Sequence, residues 1–197
     1  MSSDLVMQRT WDEDRAEAAE ATVADPPAAF HRNSPLPGLE LSGEHGLMRV
    51  ASTVLDVQAP RAREFIDVTA EVERFVTRTQ ISHGQLLVHA LHTTVAIVVN
   101  EREPLLLEDA CEFLERLAPV GGAYRHDDFV VRTVNMVEGE RANAHAHLQQ
   151  LLLAPTATLP VIRGRVALGQ WQRIFWVELD HPRARQIVLQ LTGIRGF

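Results

Sequence analysis

The chain has 197 residues, 46% of them hydrophobic, which is enough for a folded core and excludes disorder of the whole chain. The formal net charge is −7, all 19 basic residues are Arg and none is Lys, which excludes Schiff-base lysine chemistry and disfavours nucleic acid as a partner. A single cysteine, Cys111, excludes an intrachain disulfide and favours a reducing, cytoplasmic location. We expect no membrane span and no secretory signal, since apolar runs are short and the N-terminus is acidic.

Composition divides the chain into a predicted extension, residues 1–45, and a domain, residues 46–197. The first 45 residues carry nine acids and three Arg, a net charge of −6, and they are rich in Ala, Pro and Gly. The rest of the chain carries −1. With few apolar anchors, residues 1–45 are predicted to form a flexible acidic extension.

Hydrophobic periodicity predicts strands and helices in the first half of the domain. In chain order we expect a strand over 47–57, a short strand over 64–68, a helix over 69–80 capped by Thr69, a turn at His83-Gly84, one long strand over 85–100, and a helix over 103–117. In the long strand, alternation places His92 and Thr94 on one face and His89 on the other. The apolar face of the last helix would contain Phe113, Leu114 and Leu117.

The second half of the domain is predicted to be richer in strands. Residues 124–140 form a long loop with one strand at 129–134, and Asn143 caps a helix that runs to Pro155. Strands follow over 156–162, 165–168, 172–180 and 185–192, with a tight turn at Arg163-Gly164. Strands outnumber helices and the helices lie among antiparallel strands, which favours an α+β fold over a regular βαβ array.

Each polar residue along the predicted long strand can be explained by either a structural or a functional role. His92 stands where Val or Ile is usual, so it is either a hydrogen-bonded core histidine or a metal ligand or general base on a rigid strand. Asn100 and Glu101 end that strand, a place where catalytic groups are common and where acids also favour a following helix N-terminus. Asp109 lies within the next helix, where acids are usually solvated.

Histidines elsewhere in the domain add to this pattern. His126 stands beside two carboxylates, as in a charged loop or as in a ligand with orienting partners. In Asn143–His147 the two histidines are two residues apart, so on a helix their rings lie about 200° apart and only His147 would face a shared site. Three imidazoles, His92, His126 and His147, suit Zn²⁺ or another divalent ion and leave a position for water or substrate.

The segment from Gly164 to Gln172 and the single cysteine carry weaker signals. Arg165 has the guanidinium that binds phosphate in bidentate fashion, and Trp171 is either a core residue or part of a pocket. Cys111, on a predicted helix among apolar residues, is expected to be an inert thiol. P-loop, GxGxxG, GxSxG and HExxH motifs are absent from the sequence.

Ordered motifs over residues 47–193 resemble the YjbQ family, also called secondary thiamine-phosphate synthases. The motifs are LHTTVAIVVNE (91–101), Asp109 in the next helix, YRHDD (124–128), NAHAHLQQLLLAPT (143–156) and LPVIRGRVALGQWQRIFWVELDHPRAR (159–185). The resemblance implies a compact α+β fold built around a β-sandwich, assembled as a homotrimer with pockets near subunit boundaries. It also implies weak thiamine-phosphate synthase activity, in which an aminopyrimidine methyl pyrophosphate joins a thiazole phosphate and pyrophosphate leaves.

The same resemblance implies a site and its ligands. A divalent metal, Zn²⁺ or Mg²⁺, would offset the pyrophosphate charge. Its expected ligands are His92, His126 and His147. The expected catalytic residues are His92, Glu101, Asp109 and His147. The expected substrate-binding residues are Thr94, Asn100, Asn143, Arg165, Trp171 and Gln172.

Three positions depart from the family pattern. Gln149 stands where a lysine is expected, which removes a cation near an anionic ligand, and Gln170 and Arg173 replace the residues usual beside Trp171-Gln172. Two functions follow from the sequence. One is a metal-dependent enzyme acting on a small phosphorylated or otherwise anionic ligand, and the other is a non-catalytic trimer that binds a small ligand or metal.

Overall fold

A computed structural model describes residues 48–195, and the expected extension over residues 1–45 lies outside the described residues. Within that range the chain forms eight strands and three α-helices, which confirms the predicted α+β class. They are β1 (Arg49–Gln58), β2 (Glu64–Asp67), α1 (Thr69–Thr79), β3 (His83–Ala90), β4 (Val95–Glu101), α2 (Pro104–Leu117), α3 (Ala144–Leu153), β5 (Thr156–Ile162), β6 (Arg165–Val166), β7 (Gln172–Glu178) and β8 (Ala184–Ile194).

The strands form two antiparallel sheets. The larger has the order β1-β8-β3-β5-β6, and the smaller has the order β2-β7-β4. Consecutive strands β3 and β4 therefore belong to different sheets, and residues 91–94 carry the chain from one to the other. The expected single strand over 85–100 is wrong, because an alternating apolar pattern continues across this crossover without marking it.

The start of β3 corrects a second expectation. His83 and Gly84 form strand rather than a turn, and Gly84 lies opposite Gly193 of β8. A Cβ on Gly84 would collide with the carbonyl oxygen of Thr192. Glycine here permits close backbone approach between two strands, a use that cannot be told from a turn in sequence.

Two apolar layers hold the sheets and helices together. The larger lies between the sheets and α1, with fully buried side chains from β3, β4, β7, β8 and α1, among them Val72, Leu86, Ile97, Trp176 and Leu189. The smaller lies on the other face of the small sheet, where α2 and α3 pack against β7, and includes Ala96, Leu114, Ala146, Phe175 and Val177. Burial of one such large side chain contributes about 1.5–3 kcal/mol. The resulting layers form the predicted sandwich-like core.

Helix N-termini are capped differently from expectation. Thr69 does not cap α1. Its hydroxyl accepts from the backbone N–H of Ile174 at 2.9 Å, and the N-cap position is Val68. Glu103 caps α2, since its carboxylate accepts from the N–H groups of Leu105 and Leu106 at 3.0 and 2.7 Å. The carboxylate thus satisfies two of the N–H groups that a helix start leaves free.

The loop before α3 also differs in detail. A short 3-10 helix spans Arg125–Asp127, and no strand forms over 129–134. The expected Arg163-Gly164 turn is confirmed, since both residues have positive φ, 53° and 75°, as a two-residue hairpin turn requires. The strand after it is shorter than predicted. No helix within residues 48–195 is long and apolar enough to cross a membrane.

Candidate functional site

His92 lies on the crossover between the two sheets, between β3 and β4. The backbone N–H of Thr94 donates to Nδ1 of His92 at 3.2 Å, and the Thr94 hydroxyl lies 3.0 Å from the same nitrogen. Because a backbone N–H can only donate, Nδ1 carries a lone pair and the neutral ring holds its proton on Nε2. Thr94 is fully buried, so it contacts His92 as a supporting residue.

His126 and His147 lie against each other. Their ring centroids are 4.9 Å apart with an interplanar angle of 65°. His147 is on α3, and His145, two residues earlier on that helix, is buried with 6% of its surface exposed. The helical interpretation of the two-residue spacing is therefore confirmed, and one of the two rings lies beside His126.

Burial and neighbouring charges lower the pKa values of two of the three histidines. Burial, followed by the charges of Arg185, Arg183 and His147, lowers the pKa of His92 to about 4, against the raising effect of Asp180. The pKa of His147 is also lowered, mainly by burial and then by His126. His92 is accordingly a neutral hydrogen-bonding group near pH 7.

A buried ion pair lies behind His92. Glu178, at the end of β7, is fully buried, and Arg185 of β8 is 7% exposed. Arg185 Nε donates to Oε2 of Glu178 at 2.9 Å, and its Nη2 lies 3.4 Å from both Oε1 of Glu178 and the Thr94 hydroxyl. The pair therefore connects the two sheets to the residue that contacts His92.

Asp180 and its neighbours form another side of the site. Asp180 is buried, and its Oδ1 lies 2.7 Å from Nδ1 of His181. The guanidinium of Arg183 contacts the other nitrogen of His181. The Asn143 amide donates to Oδ2 of Asp180 across a long 3.5 Å, while its own Oδ1 is buried without a protein partner within residues 48–195.

Arg132 organises the loop that carries His126. Its Nη1 donates to Glu140 at 2.7 Å and lies 3.2 Å from Nε2 of His126, and the guanidinium also donates to three backbone carbonyls of the loop. Since a guanidinium has no acceptor, Nε2 of His126 accepts this hydrogen bond. The same hydrogen bond to Glu140 lowers the pKa of that carboxyl.

These hydrogen bonds decide how well the histidines fit a metal. Within residues 48–195, no group of three or more His, Cys, Asp or Glu side chains is placed to hold one ion. Nε2 of His126 accepts from Arg132, and Nδ1 of His92 accepts from Thr94. In this arrangement the three rings do not fit a three-histidine metal site, and the expected metal stays a prediction.

Several expected site residues lie elsewhere in the fold. Asn100 and Glu101 end β4 and pair with Arg173 and Gln172 of β7, next to Trp171. The other end of β4 begins near His92, so the two groups are separated by about 20 Å of strand at roughly 3.4 Å per residue. The structure thus divides the expected site between two ends of the small sheet.

The two remaining expected residues make no hydrogen bond to the histidines within residues 48–195. Asp109 is exposed on α2. Arg165 begins β6 at the hairpin with β5, where it lines a surface cleft with Glu73 and Thr77 of α1. Because β6 pairs with the end of β5 that lies beside His83, Arg165 is at the far end of β3 from His92.

Gln149 corrects the inference drawn from the missing lysine. It is fully buried on α3, and its amide donates to the carbonyl oxygens of Leu114 and Ala118 at 3.2 and 2.9 Å. The carbonyl of Leu114 also accepts from the backbone N–H of Ala118, the C-cap residue of α2, so Gln149 adds donors at the end of that helix. The side chain at this position therefore joins two helices and does not face the histidines, so its identity does not set the charge of the site.

Sequence reasoning missed the segment that closes the site, residues 178–185. It supplies Glu178, Asp180, His181, Arg183 and Arg185. The available signal was Glu178 itself, a charged residue that directly follows four apolar residues of β7, all of them buried. A buried charge requires a partner, so this residue predicts a nearby cation.

Known proteins resemble the domain over most of its length. Residues 53–194 match a family model described as UPF0047 protein YjbQ-like. A UPF0047 protein from Archaeoglobus fulgidus is 40% identical, with the alignment covering 69% of this chain and 97% of the relative. The UPF0047 protein YugU from Bacillus subtilis is 30% identical, covering 71% and 97%.

Solved structures give the same relationship. A YbjQ-like protein of unknown function from Sulfolobus solfataricus P2 superposes with a TM-score of 0.66 at 33% identity, covering 74% of this chain and 99% of that one. A hypothetical protein from Aeropyrum pernix K1 superposes with a TM-score of 0.64 at 37% identity, covering 73% and 98%.

Proposed function

Because the chain belongs to the YjbQ-like UPF0047 family, we propose that it binds a small phosphorylated or otherwise anionic ligand at the cluster of His92, His126 and His147 and acts as a thiamine-phosphate synthase-like transferase. The observation that carries the proposal is the hydrogen bonding of His92, whose Nδ1 accepts from Thr94 and leaves Nε2 as a donor, together with the nearby arginines Arg183 and Arg185. Neutral imidazole N–H groups and guanidinium groups both donate hydrogen bonds to oxyanions.

Arginines around the cluster supply hydrogen-bond donors for an anion. Arg185 is matched by Glu178, and Arg132 is matched by Glu140. The exposed Arg183 contacts His181, which is bonded to Asp180, and its guanidinium forms no ion pair with a carboxylate of residues 48–195. Oxyanion groups of a ligand would pair with this guanidinium.

In the proposed reaction, the C–O bond of the aminopyrimidine methyl pyrophosphate breaks and pyrophosphate leaves with the electron pair. The thiazole nitrogen attacks the resulting cationic carbon. N–H donors from His92 and Arg183 would stabilise the charge that develops on the leaving pyrophosphate. The expected Zn²⁺ or Mg²⁺ remains part of the proposal as a partner of the ligand, since the histidines as placed do not form its site.

The test is an assay of thiamine-phosphate formation with purified full-length protein, combined with calorimetric titration of inorganic pyrophosphate and elemental analysis for bound metal. We expect His92→Ala to abolish product formation and weaken pyrophosphate binding. His89→Gln is the matched control, because the His89 ring bonds Thr156 on β5 instead. Failure of the wild-type protein to bind pyrophosphate would overturn the proposal, and equal activity in His92→Ala would assign the activity to a contaminant.

The second candidate is a non-catalytic protein that binds the same class of ligand. The observation that favours it is the separation of Glu101 from the histidines, since the carboxylates that lie near them are already engaged: Asp180 is bonded to His181, and Asp127 accepts from the backbone N–H groups of Asn143 and Ala144. A general base needs a free acceptor within hydrogen-bond reach of its substrate. Pyrophosphate binding without turnover in the assay would select this candidate.

We extend the proposal to a homotrimer, which rests on the family resemblance. Trp171 and Gln172 lie at the far end of β4 and β7 from His92, and assembly at subunit boundaries would place such residues from one protomer near the histidines of another. Light scattering on the full-length protein tests this, with three times the chain mass expected. A monomeric mass would contradict it.

A further inference from the structure

We infer that His92 acts in the proposed anion site as a neutral hydrogen-bond donor through Nε2. A chain of three positioning residues, Thr94, Arg185 and Glu178, holds its ring in that tautomer. The inference deepens the proposed function, on which the ligand class rests. The tautomer itself is independent of any ligand.

The chain of hydrogen bonds starts at a buried carboxylate. Glu178 is fully buried and accepts from Arg185 through both oxygens, at 2.9 and 3.4 Å. Its Oε1 also accepts from the backbone N–H of Asp180 at 3.1 Å. Because these partners are donors and the carboxylate only accepts, the orientation of the Arg185 guanidinium is fixed.

The guanidinium then sets the direction of the Thr94 hydroxyl. Nη2 of Arg185 lies 3.4 Å from Oγ1 of Thr94, a long hydrogen bond in which the hydroxyl oxygen accepts. The single hydroxyl proton is thereby free to point at Nδ1 of His92, 3.0 Å away. Each step donates in the same direction, from the buried pair toward the imidazole.

Two donors therefore converge on one imidazole nitrogen. The Thr94 N–H and hydroxyl both point at Nδ1 of His92, at 3.2 and 3.0 Å. A proton on Nδ1 would point at the backbone N–H of Thr94, and the nitrogen could then no longer accept a hydrogen bond from it. The neutral ring consequently carries its proton on Nε2.

This arrangement is the reverse of the one found around metal-binding histidines. A histidine that binds a metal through one nitrogen donates its other N–H to a carboxylate or carbonyl, which fixes the tautomer. The second nitrogen of His92 instead faces donors, so Nε2 is protonated and cannot bind a cation. The same protonated Nε2 suits an oxyanion, such as a phosphate or carboxylate oxygen.

The experiment reads the tautomer directly. Two-bond ¹H–¹⁵N correlation spectra of ¹⁵N-histidine-labelled full-length protein at pH 7 distinguish an Nε2–H ring from an Nδ1–H ring, with His92→Gln assigning the signal. We expect His92 to be the Nε2–H tautomer before any ligand is added. An Nδ1–H ring or a cationic ring would overturn the inference.

Variants at Thr94 test the positioning role. Thr94→Val removes the hydroxyl donor at nearly constant volume, and Thr94→Ser restores it. The backbone N–H at this position still donates to Nδ1 in the valine variant, so we expect Nε2–H to remain the major tautomer beside a minor Nδ1–H fraction. Inorganic pyrophosphate should bind about threefold to tenfold more weakly, the effect of losing one hydrogen bond. The serine variant should recover both readouts, and thermal melts would establish that all the proteins are folded.

The proposed function and the inferred positioning of His92 can be refuted independently of each other. Wild-type protein that holds the Nε2–H tautomer but binds no pyrophosphate would end the proposed function and leave the inferred tautomer standing. A valine variant that is folded, keeps the wild-type tautomer and binds pyrophosphate as tightly as wild type would refute the positioning chain. Because the spectra require no ligand, they test the tautomer of His92 whether or not the protein binds pyrophosphate.

Discussion

At the scale of single residues, the site depends on the ion pair of Glu178 and Arg185. This pair contributes more to the orientation of neighbouring side chains than to the stability of the fold. Removing Glu178 and Arg185 from water carries a desolvation cost that their attraction only partly offsets, so a buried pair of this kind is weak evidence for stability. Both sheets contribute to it, Glu178 from β7 and Arg185 from β8. Its geometric value is that it places a fixed donor against Thr94, next to the only histidine on the crossover.

The lowered pKa of His92 makes a prediction about stability and pH. In the unfolded chain the ring titrates near 6.5, and in the folded chain near 4, because of burial, Arg185, Arg183 and His147, against the raising effect of Asp180. Between these values the unfolded chain binds a proton that the folded chain does not. The free energy of unfolding therefore falls as pH drops from about 6.5 toward 4. His147 acts in the same direction.

Urea denaturation of the wild-type protein and of His92→Gln at pH 7.5 and pH 5 measures this effect. The wild-type protein should lose more stability than the variant on acidification, since the variant has no ring to protonate at that position. His89→Gln should behave as wild type. An identical loss in wild type and His92→Gln would contradict the lowered pKa.

At the scale of elements, Asp127 joins the loop that carries His126 to the helix that carries His147. Its Oδ1 accepts from the backbone N–H groups of Asn143 and Ala144, at 2.9 and 3.0 Å. Asn143 occupies the N-cap position as predicted, but its own side chain makes no capping hydrogen bond. The cap is supplied from sixteen residues earlier, which is beyond the reach of local sequence rules.

Loss of this cap should weaken the protein and loosen the histidine pair. Asp127→Ala should lower the free energy of unfolding by about 0.5–2 kcal/mol, the usual cost of removing an N-cap side chain. Asp127→Asn keeps an acceptor oxygen and should lose less. Urea denaturation gives the energies, and the histidine signals of His126 and His147 in the same NMR spectra should shift most in the alanine variant. Unchanged stability in Asp127→Ala would show that the cap contributes nothing.

The accuracy of sequence reasoning also varies by element. Strands β1, β5, β7 and β8 and helices α2 and α3 were predictable, because their apolar periodicity and end signals agree with their surroundings. The division of 85–101 into two strands was not, since no turn residue marks the crossover. Phe113 and Leu117, expected to face inward on α2, are 52% and 53% exposed, because Leu107 and Leu114 are the side chains of that helix that pack against the core beneath it.

At the scale of the whole molecule, the candidate site forms where the two sheets are connected. The histidines were predictable as a group from their number and positions in the motifs. Their partners in residues 178–185 were not predictable. The pairing of β4 with β7 and of β3 with β8 brings these partners to the histidines from far along the chain. Within one chain, the same pairing separates Glu101 and Trp171 from His92, which the family resemblance had grouped into one site.

The crossover over residues 91–94 also restricts where the chain can vary in length. Backbone hydrogen bonds hold both of its ends, since the N–H of Leu91 donates to the carbonyl oxygen of Gln186 and the carbonyl oxygen of Thr94 accepts from the N–H of Leu179. Beyond it, Ile97 packs between the sheets and Ala96 beneath the helices, so the register of β4 is fixed as well. An added residue would have to be accommodated between these two anchors and would displace His92, so the spacing between this histidine and both sheets is constrained without any contribution from a ligand.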